Sequence, residues 1–337
     1  MKKGVFTTAD ILLPSGINLE RWSVIACDQF SSEPDYWEKV RMMVGNDPST
    51  LNMMIPEVYL PDMDIDDEVR RISLAMDSYM SEGLFQTYED SYIYVERTMS
   101  DGSIRRGLIG AVDLDEYSFT GEKSPILASE GTVLERLPVR IQVRRAVQLE
   151  LPHVLAFIND AGRAIIEPLS DKTKDFTPLY DFHLMENGGH IKGIQISGDL
   201  AQEITAAIAS LGERSDPLIV IGDGNHSLAS AKVYWDELKQ GLSTAEREKH
   251  PARKALIEIN NVYDSAINIE AIHRVVFNVD ASEFLAQLPD SMTQGNDYQL
   301  LWHSGEKSGS IGVAAPCIGD MLAALQEFLD DYSKATD

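Results

Sequence analysis

Within six residues, Gly222-Asp223-Gly224-Asn225-His226-Ser227, the chain carries a carboxylate, an amide, an imidazole and a hydroxyl, with two glycines among them. Glycines let backbone N–H groups approach a ligand. A helix start adds N–H groups without intrahelical partners and a partial positive charge. Such a loop can hold an anion while Asp223 or His226 handles a proton or a metal ion. The same residue types also make an ordinary capping turn, with Asn225 or Ser227 as N-cap. A capping turn has no need of an imidazole, which favours the chemical reading. The spacing is neither a Walker loop, which would end in Gly-Lys-Ser/Thr, nor a Gly-x-Gly-x-x-Gly dinucleotide fingerprint.

The elements that position this loop surround it in the sequence. Leu218 to Ile221, after Pro217, reads as a short buried strand. Beyond the loop, Leu228, Ala231, Val233 and Trp235 mark the inner side of an amphipathic helix that Gly241 ends. A second chemistry-bearing stretch runs from Ile126 to Arg140 and holds Glu130, Thr132, Glu135, Arg136 and Arg140. If residues 132–137 are helical, Thr132 and Arg136 share a face. Arginine forks suit phosphate or carboxylate, and Glu130 could serve as a base or hold Mg²⁺; a surface helix with Glu–Arg pairs is the plainer alternative. Asp28 follows the apolar stretch 22–27, read as a buried strand, and a carboxylate just past a strand is where open α/β folds build sites. Alone, it is better read as a turn residue. His273 and Arg274 precede a strand-like run, 275–277, as a phosphate-capable pair or simply a polar strand start.

The rest of the chain alternates hairpins and helices. A helix follows the Ser31-Ser32-Glu33-Pro34 start, with Tyr36, Trp37, Val40 and Val44 as its packed face, and another spans 66–82. Hairpins are expected over 91–113, around Asp101-Gly102; over 152–169; and over 182–196, around Asn187-Gly188-Gly189. Gly198-Asp199 opens a helix, Ser243 with Glu246 makes a capping box, 256–263 reads as a strand, and helices cover 283–288 and 318–335. The pattern is α+β, with mixed sheets and packed helices, not a regular βαβ array.

Composition narrows the function classes. With 54 acidic against 29 basic side chains the net charge is −25, which repels nucleic-acid backbones and anionic membranes. A local basic pocket for a small phosphate remains compatible; Arg136, Arg140, Arg144 and Arg145 form the one dense basic stretch. The two cysteines, Cys27 and Cys317, show no disulfide framework or zinc spacing. No apolar run approaches a membrane span and the start lacks a signal peptide's apolar core, so a cytoplasmic location is expected.

Five stretches together resemble one family, known only as domain of unknown function 1015. They are Ala26-Cys27-Asp28-Gln29-Phe30, residues 106–113 (RGLIGAVD), residues 130–136 (EGTVLER), residues 222–229 (GDGNHSLA) and residues 271–276 (AIHRVV), in chain order. More distantly, the central loop resembles the Asp-Gly-His-His-Arg motif of the ParB/sulfiredoxin-like fold. In ADP-dependent free serine kinases of that fold the loop contacts the nucleotide phosphates. Asp223, Gly224 and His226 match; Asn225 replaces the first histidine and Ser227 the arginine, which removes a bidentate phosphate fork. Arg136, Arg140 or Arg274 would have to substitute. Neither cysteine sits in the motif, so sulfiredoxin chemistry is not expected.

The resemblance implies a ParB/sulfiredoxin-like core over 121–280, between an N-terminal α+β region, 1–120, and a C-terminal extension, 281–337. It implies a nucleotide-dependent phosphotransferase acting on serine or a similar hydroxy-compound, with ATP or ADP and Mg²⁺. Gly222, Gly224, Asn225, Ser227 and His226 would hold phosphate. Asp223 or Glu130 would hold the metal, with Asp28 a further ligand, or accept the hydroxyl proton. Arg136 and Arg274 would neutralise the transferred group. The alternative is a non-catalytic module that binds a small anionic metabolite in the same loop.

Overall fold

A computed structural model describes residues 4–27, 30, 32–151, 154–267 and 273–336. The chain forms two compact units, Met1–Asn268 and Ile269–Asp337. The expected division near residue 120 falls inside the first unit, because strands from both sides of it pair in one sheet. The strands, in chain order, are β1 (Phe6–Thr7), β2 (Ala9–Pro14), β3 (Phe85–Thr98), β4 (Ile104–Asp113), β5 (Tyr117–Ser118), β6 (Ile126–Ala128), β7 (Leu155–Ile158), β8 (Tyr180–His183), β9 (His190–Ile196), β10 (Ile219–Asp223) and β11 (Lys254–Asn261). Their order is β5-β6-β10-β7-β11-β4-β3-β9-β8, with β1 added to β4 and β2 to β3. The sheet is mixed: β10 is parallel to β6 and antiparallel to β7.

Alternation along the strands sorts the two faces. Tyr92, Tyr94, Ala156, Ile158, Ile219, Ile221, Ile257 and Ile259 pack in one core with the inner sides of the helices Gly198–Gly212 and Asn225–Leu238. The opposite face carries Ile11, Ile93, Val95, Ile109, Tyr180 and Leu256. The helix Pro34–Val44 buries Tyr36, Trp37, Val40 and Val44, the expected set. The helix Ile65–Ser81, capped by Asp64, packs Ile72, Met76 and Tyr79 around Trp22. The hairpins β3–β4 and β8–β9 and the capping box at Ser243–Glu246 follow the expected positions.

Three expected strands do not form. After the short helix Leu19–Trp22, started by the Asn18 side chain, residues 23–27 run irregularly, and Val24 donates to the Thr50 hydroxyl instead of joining a ladder. Asp28, at the end of this stretch, lies outside the described residues. In the expected 152–169 hairpin only β7 forms. Asp160 Oδ2 accepts from the backbone of Ala164 at 2.7 Å and Ile165 at 3.0 Å, taking N–H groups that a return strand would have used. β7 pairs instead with β10 and β11. Residues 273–277 form no strand; the preceding 271–272 lie outside the described residues.

The second unit contains the helix Ala281–Ser291, a hairpin of β12 (Gln294–Ser304) and β13 (Lys307–Val313), and the helix Ile318–Thr336. Leu288, Met292, Val313 and Met321 form its core. The two helices were legible from their apolar periodicity, whereas the exposed, polar strands of the hairpin were not. Among the described residues no helix is long and apolar enough to cross a membrane.

Candidate functional site

The loop of interest leaves the sheet at the end of β10, where the register with β7 shifts between Ile221 and Asp223. Gly224 sits in the left-handed region at φ 85° and is itself the N-cap of the helix Asn225–Leu238, with no side-chain cap bond. Neither Asn225 nor Ser227 caps the helix; both lie inside it. The side chain of Asp223 closes the turn, its Oδ1 accepting from Gly224 N at 2.7 Å. A Cβ on Gly224 would come 3.0 Å from Val154 Cγ2. Left-handed strain and this contact together make Gly224→Ala cost about 1–3 kcal/mol, measurable as a lower urea midpoint. Gly222 has a different reason to be glycine: its missing side chain is replaced by the Phe157 ring across the strand pair. It therefore serves packing within the sheet.

Asn225 is 2% exposed. Its Oδ1 accepts from Ser129 N at 3.3 Å, and its Nδ2 donates to Ser129 Oγ at 3.2 Å and to Glu130 Oε1 at 3.4 Å. His226 adds a further tie, its Nε2 accepting from Val133 N at 3.2 Å. With Nε2 as the acceptor of this bond, Nδ1 is the ring position left to donate. The two chemistry-bearing stretches, about a hundred residues apart in the chain, are thus fastened directly to each other. Ser129 and Val133 do the fastening. Ser129 N and Val133 N act through the backbone, which leaves no signal in residue type; the Ser129 hydroxyl adds a side-chain bond.

The fastened segment does not form the helix envisaged over 132–137. It makes a 3₁₀ turn, Leu134–Arg136, and leads into the helix Leu137–Ala146, with Pro138 in its first turn. The basic stretch then divides. Arg140 pairs with Glu57, Arg144 with Glu150 at 2.7 Å, and Arg145 with Glu237. Arg136 is exposed, and its guanidinium has no hydrogen bond or ion pair among the described residues. Of the arginines considered as substitutes for the missing motif arginine, Arg140 is committed to Glu57, and Arg274 belongs to the second unit, where it reaches Gln326 at 3.5 Å. Arg136 is the one on this segment that remains uncommitted.

Asp223, Asn225, His226, Ser227, Glu130 and Arg136 all line one cavity of about 1470 Å³ in the first unit. Cys27, expected inside a buried strand, lines it too. The volume exceeds that of a typical small-molecule pocket. Among the described residues no three of His, Cys, Asp or Glu are grouped to hold a metal ion. Glu130 and Asp223 each keep one carboxylate oxygen without a hydrogen bond among the described residues. Two carboxylates at a cavity wall fit an ion such as Mg²⁺, which is held mainly by water and phosphate, better than they fit a dedicated protein cage.

No curated protein and no solved structure matches the chain. A family model described as "Protein of unknown function (DUF1015)" matches residues 13–321. That span takes in the strand–loop–helix of residues 219–238 and the segment fastened to it, and the chain belongs to this family.

Proposed function

We propose that the protein is a nucleotide-dependent small-molecule phosphotransferase that works in this cavity. The observation that carries the reading is the fastening of residues 129–133 to the helix start at 225–226. It brings Glu130 to the helix start that Asp223 and His226 flank and that has no side-chain cap, in a cavity that Arg136 also lines. Phosphoryl transfer relies on positioning and charge compensation, and these groups supply both. The likeness of the loop to that of ParB/sulfiredoxin-like serine kinases points to the same use, and to serine or a similar hydroxy-compound as acceptor; this part rests on analogy.

In this reading the helix start holds phosphate oxygens and Arg136 offsets their charge. Asp223 and Glu130 offer carboxylate oxygens, one toward Mg²⁺ and the other toward the acceptor's hydroxyl proton. Mg²⁺, when bound with ATP or ADP, would draw charge off the phosphates. Asn225 and Gly222 position the loop and do not contact the nucleotide. His226 holds the 130–136 segment in place and presents Nδ1–H as a donor.

A thermal-shift titration with ATP and ADP, with and without Mg²⁺, tests this. A ligand that binds only the folded state raises the melting temperature. One nucleotide should raise it in the wild type, and Arg136→Ala should weaken that binding by roughly tenfold or more. No response of the wild type to either nucleotide would end the reading. The metabolite-binding alternative is favoured by one feature, Ser227 in place of the motif arginine. It predicts binding with no turnover when serine is supplied.

A further inference from the structure

Six buried side-chain polar atoms of the described residues lack a hydrogen-bond partner, and three of them, Arg97 Nε, Arg105 Nε and Asn260 Oδ1, belong to one patch. Strand register assembles it. Arg97 on β3 lies directly across from Arg105 on β4, and Asn260 on β11 lies across from Gly107 on β4. By alternation Arg97 shares the face of Ile93 and Val95, and Glu258 and Asn260 share that of Leu256. This is the face opposite the core that holds Ile257 and Ile259. The place of a Cβ on Gly107 is taken by the Glu258 side chain, whose carboxylate reaches Arg105 Nη2 at 3.5 Å. The Arg105 and Glu258 side chains are only 14% and 15% exposed.

The charges in this patch do not balance. Glu258 is its one ion-paired carboxylate among the described residues, and it is shared with Asn260 Nδ2 at 2.9 Å. Arg97 has no ion pair among the described residues; its one hydrogen bond runs from Nη2 to the Gly188 carbonyl at 3.1 Å. Cys27 and Tyr36 also lie within electrostatic reach of Arg97, and Glu186 within reach of Tyr36; the Tyr36 phenol donates to the Ile25 carbonyl at 2.6 Å, and burial holds its proton on. Burial first, and the neighbouring Arg105 charge second, push the Arg97 pKa down. A guanidinium stays charged in proteins. Two such groups share one ion-paired carboxylate among the described residues and keep unpaired Nε donors away from water. Planar forks with Nε free are built to grip an oxyanion.

We propose that Arg97 and Arg105 bind a small oxyanion, the phosphate or carboxylate group of a small metabolite, with Asn260 Oδ1 left to accept from a donor on the same ligand. The site lies on other strands than the 222–227 loop and does not depend on the nucleotide reading.

Inorganic phosphate and acetate, titrated separately at constant ionic strength and followed by melting temperature, test this on the whole chain. One or both should give a saturable rise in the wild type, and which of them does so identifies the class of group bound. Arg97→Gln and Arg105→Gln should each weaken that response about tenfold or more. Arg70→Gln, which removes an exposed guanidinium on the helix Ile65–Ser81, should leave it unchanged. Glu258→Gln removes the competing carboxylate and should tighten binding severalfold, which a merely structural glutamate would not do. If a glutamine variant fails to fold, Arg97→Lys keeps the charge without the fork and should show the same loss. No saturable response to either anion, an unchanged response in the arginine variants, or weaker binding in Glu258→Gln would each overturn the assignment.

Discussion

Asn225→Ala should destabilise the first unit by about 2–4 kcal/mol and abolish nucleotide-dependent stabilisation. The side chain makes three hydrogen bonds, to Ser129 N, Ser129 Oγ and Glu130 Oε1. It is 2% exposed, so water does not easily replace it. Truncation loses the bonds and strands the partners' polar groups, and the second effect dominates for buried groups. The functional loss has a separate cause. Without Asn225 the bond between Val133 N and His226 is the one hydrogen bond left between residues 129–133 and the helix start among the described residues. The conformational freedom thereby regained by residues 129–132 must be given up again on binding. Urea titration followed by circular dichroism gives the first quantity and the nucleotide melting shift the second. A variant with wild-type midpoint and wild-type shift would show that this amide holds nothing together. Asn225→Asp is a sharper form of the test. It keeps the shape but sets a second carboxylate against Glu130, so its cost should exceed that of alanine near neutral pH.

Trp235→Ala should cost about 3–5 kcal/mol, the largest single stability effect expected in the chain. The indole is fully buried and packs in the main core behind the loop helix. Its Nε1 donates to Asp115 Oδ1 at 2.9 Å, and the His250 ring lies 5.9 Å away. Asp115 keeps Lys239 at 2.9 Å and Arg253 at 3.3 Å after the indole is lost, so the removed packing accounts for most of the cost. Trp235→Phe keeps much of that packing and should cost only about 1–2 kcal/mol. A Trp235→Ala variant within about 1 kcal/mol of wild type would mean that the helix behind the loop is not anchored in the core.

Much of this architecture can be read locally. Apolar spacing marks the packed faces of the helices Pro34–Val44 and Asn225–Leu238, because a 3.6-residue period has only one way to bury Tyr36, Trp37, Val40 and Val44 together. Asp101-Gly102 and Asn187-Gly188-Gly189 mark hairpin turns through backbone conformations that few other residues adopt. The same reasoning fails at 152–169. There Asp160 captures two backbone N–H groups, and whether a side chain will do so is decided by where Asn261, more than a hundred residues on, holds it. It fails at 22–27 because an apolar run does not say whether its partner is a sheet edge or the hydroxyl of Thr50.

For the site, the sequence by itself determined the residue types at 222–227 and 130–136 and the strand–loop–helix that carries the first of them. Three further matters were decided only in three dimensions. Gly222 makes room for the Phe157 ring, and Asn225 faces inward to Ser129 and Glu130. Among the described residues Arg140, Arg144 and Arg145 found acidic partners while Arg136 did not. Arg97, Arg105 and Glu258, unremarkable in the sequence, meet through the registers of β3, β4 and β11. The physical reason is common to all three. Local propensity acts over a few residues and leaves its trace there, whereas a contact across a sheet depends on register and on which neighbour arrives first, and neither is written in the types of the two residues that meet.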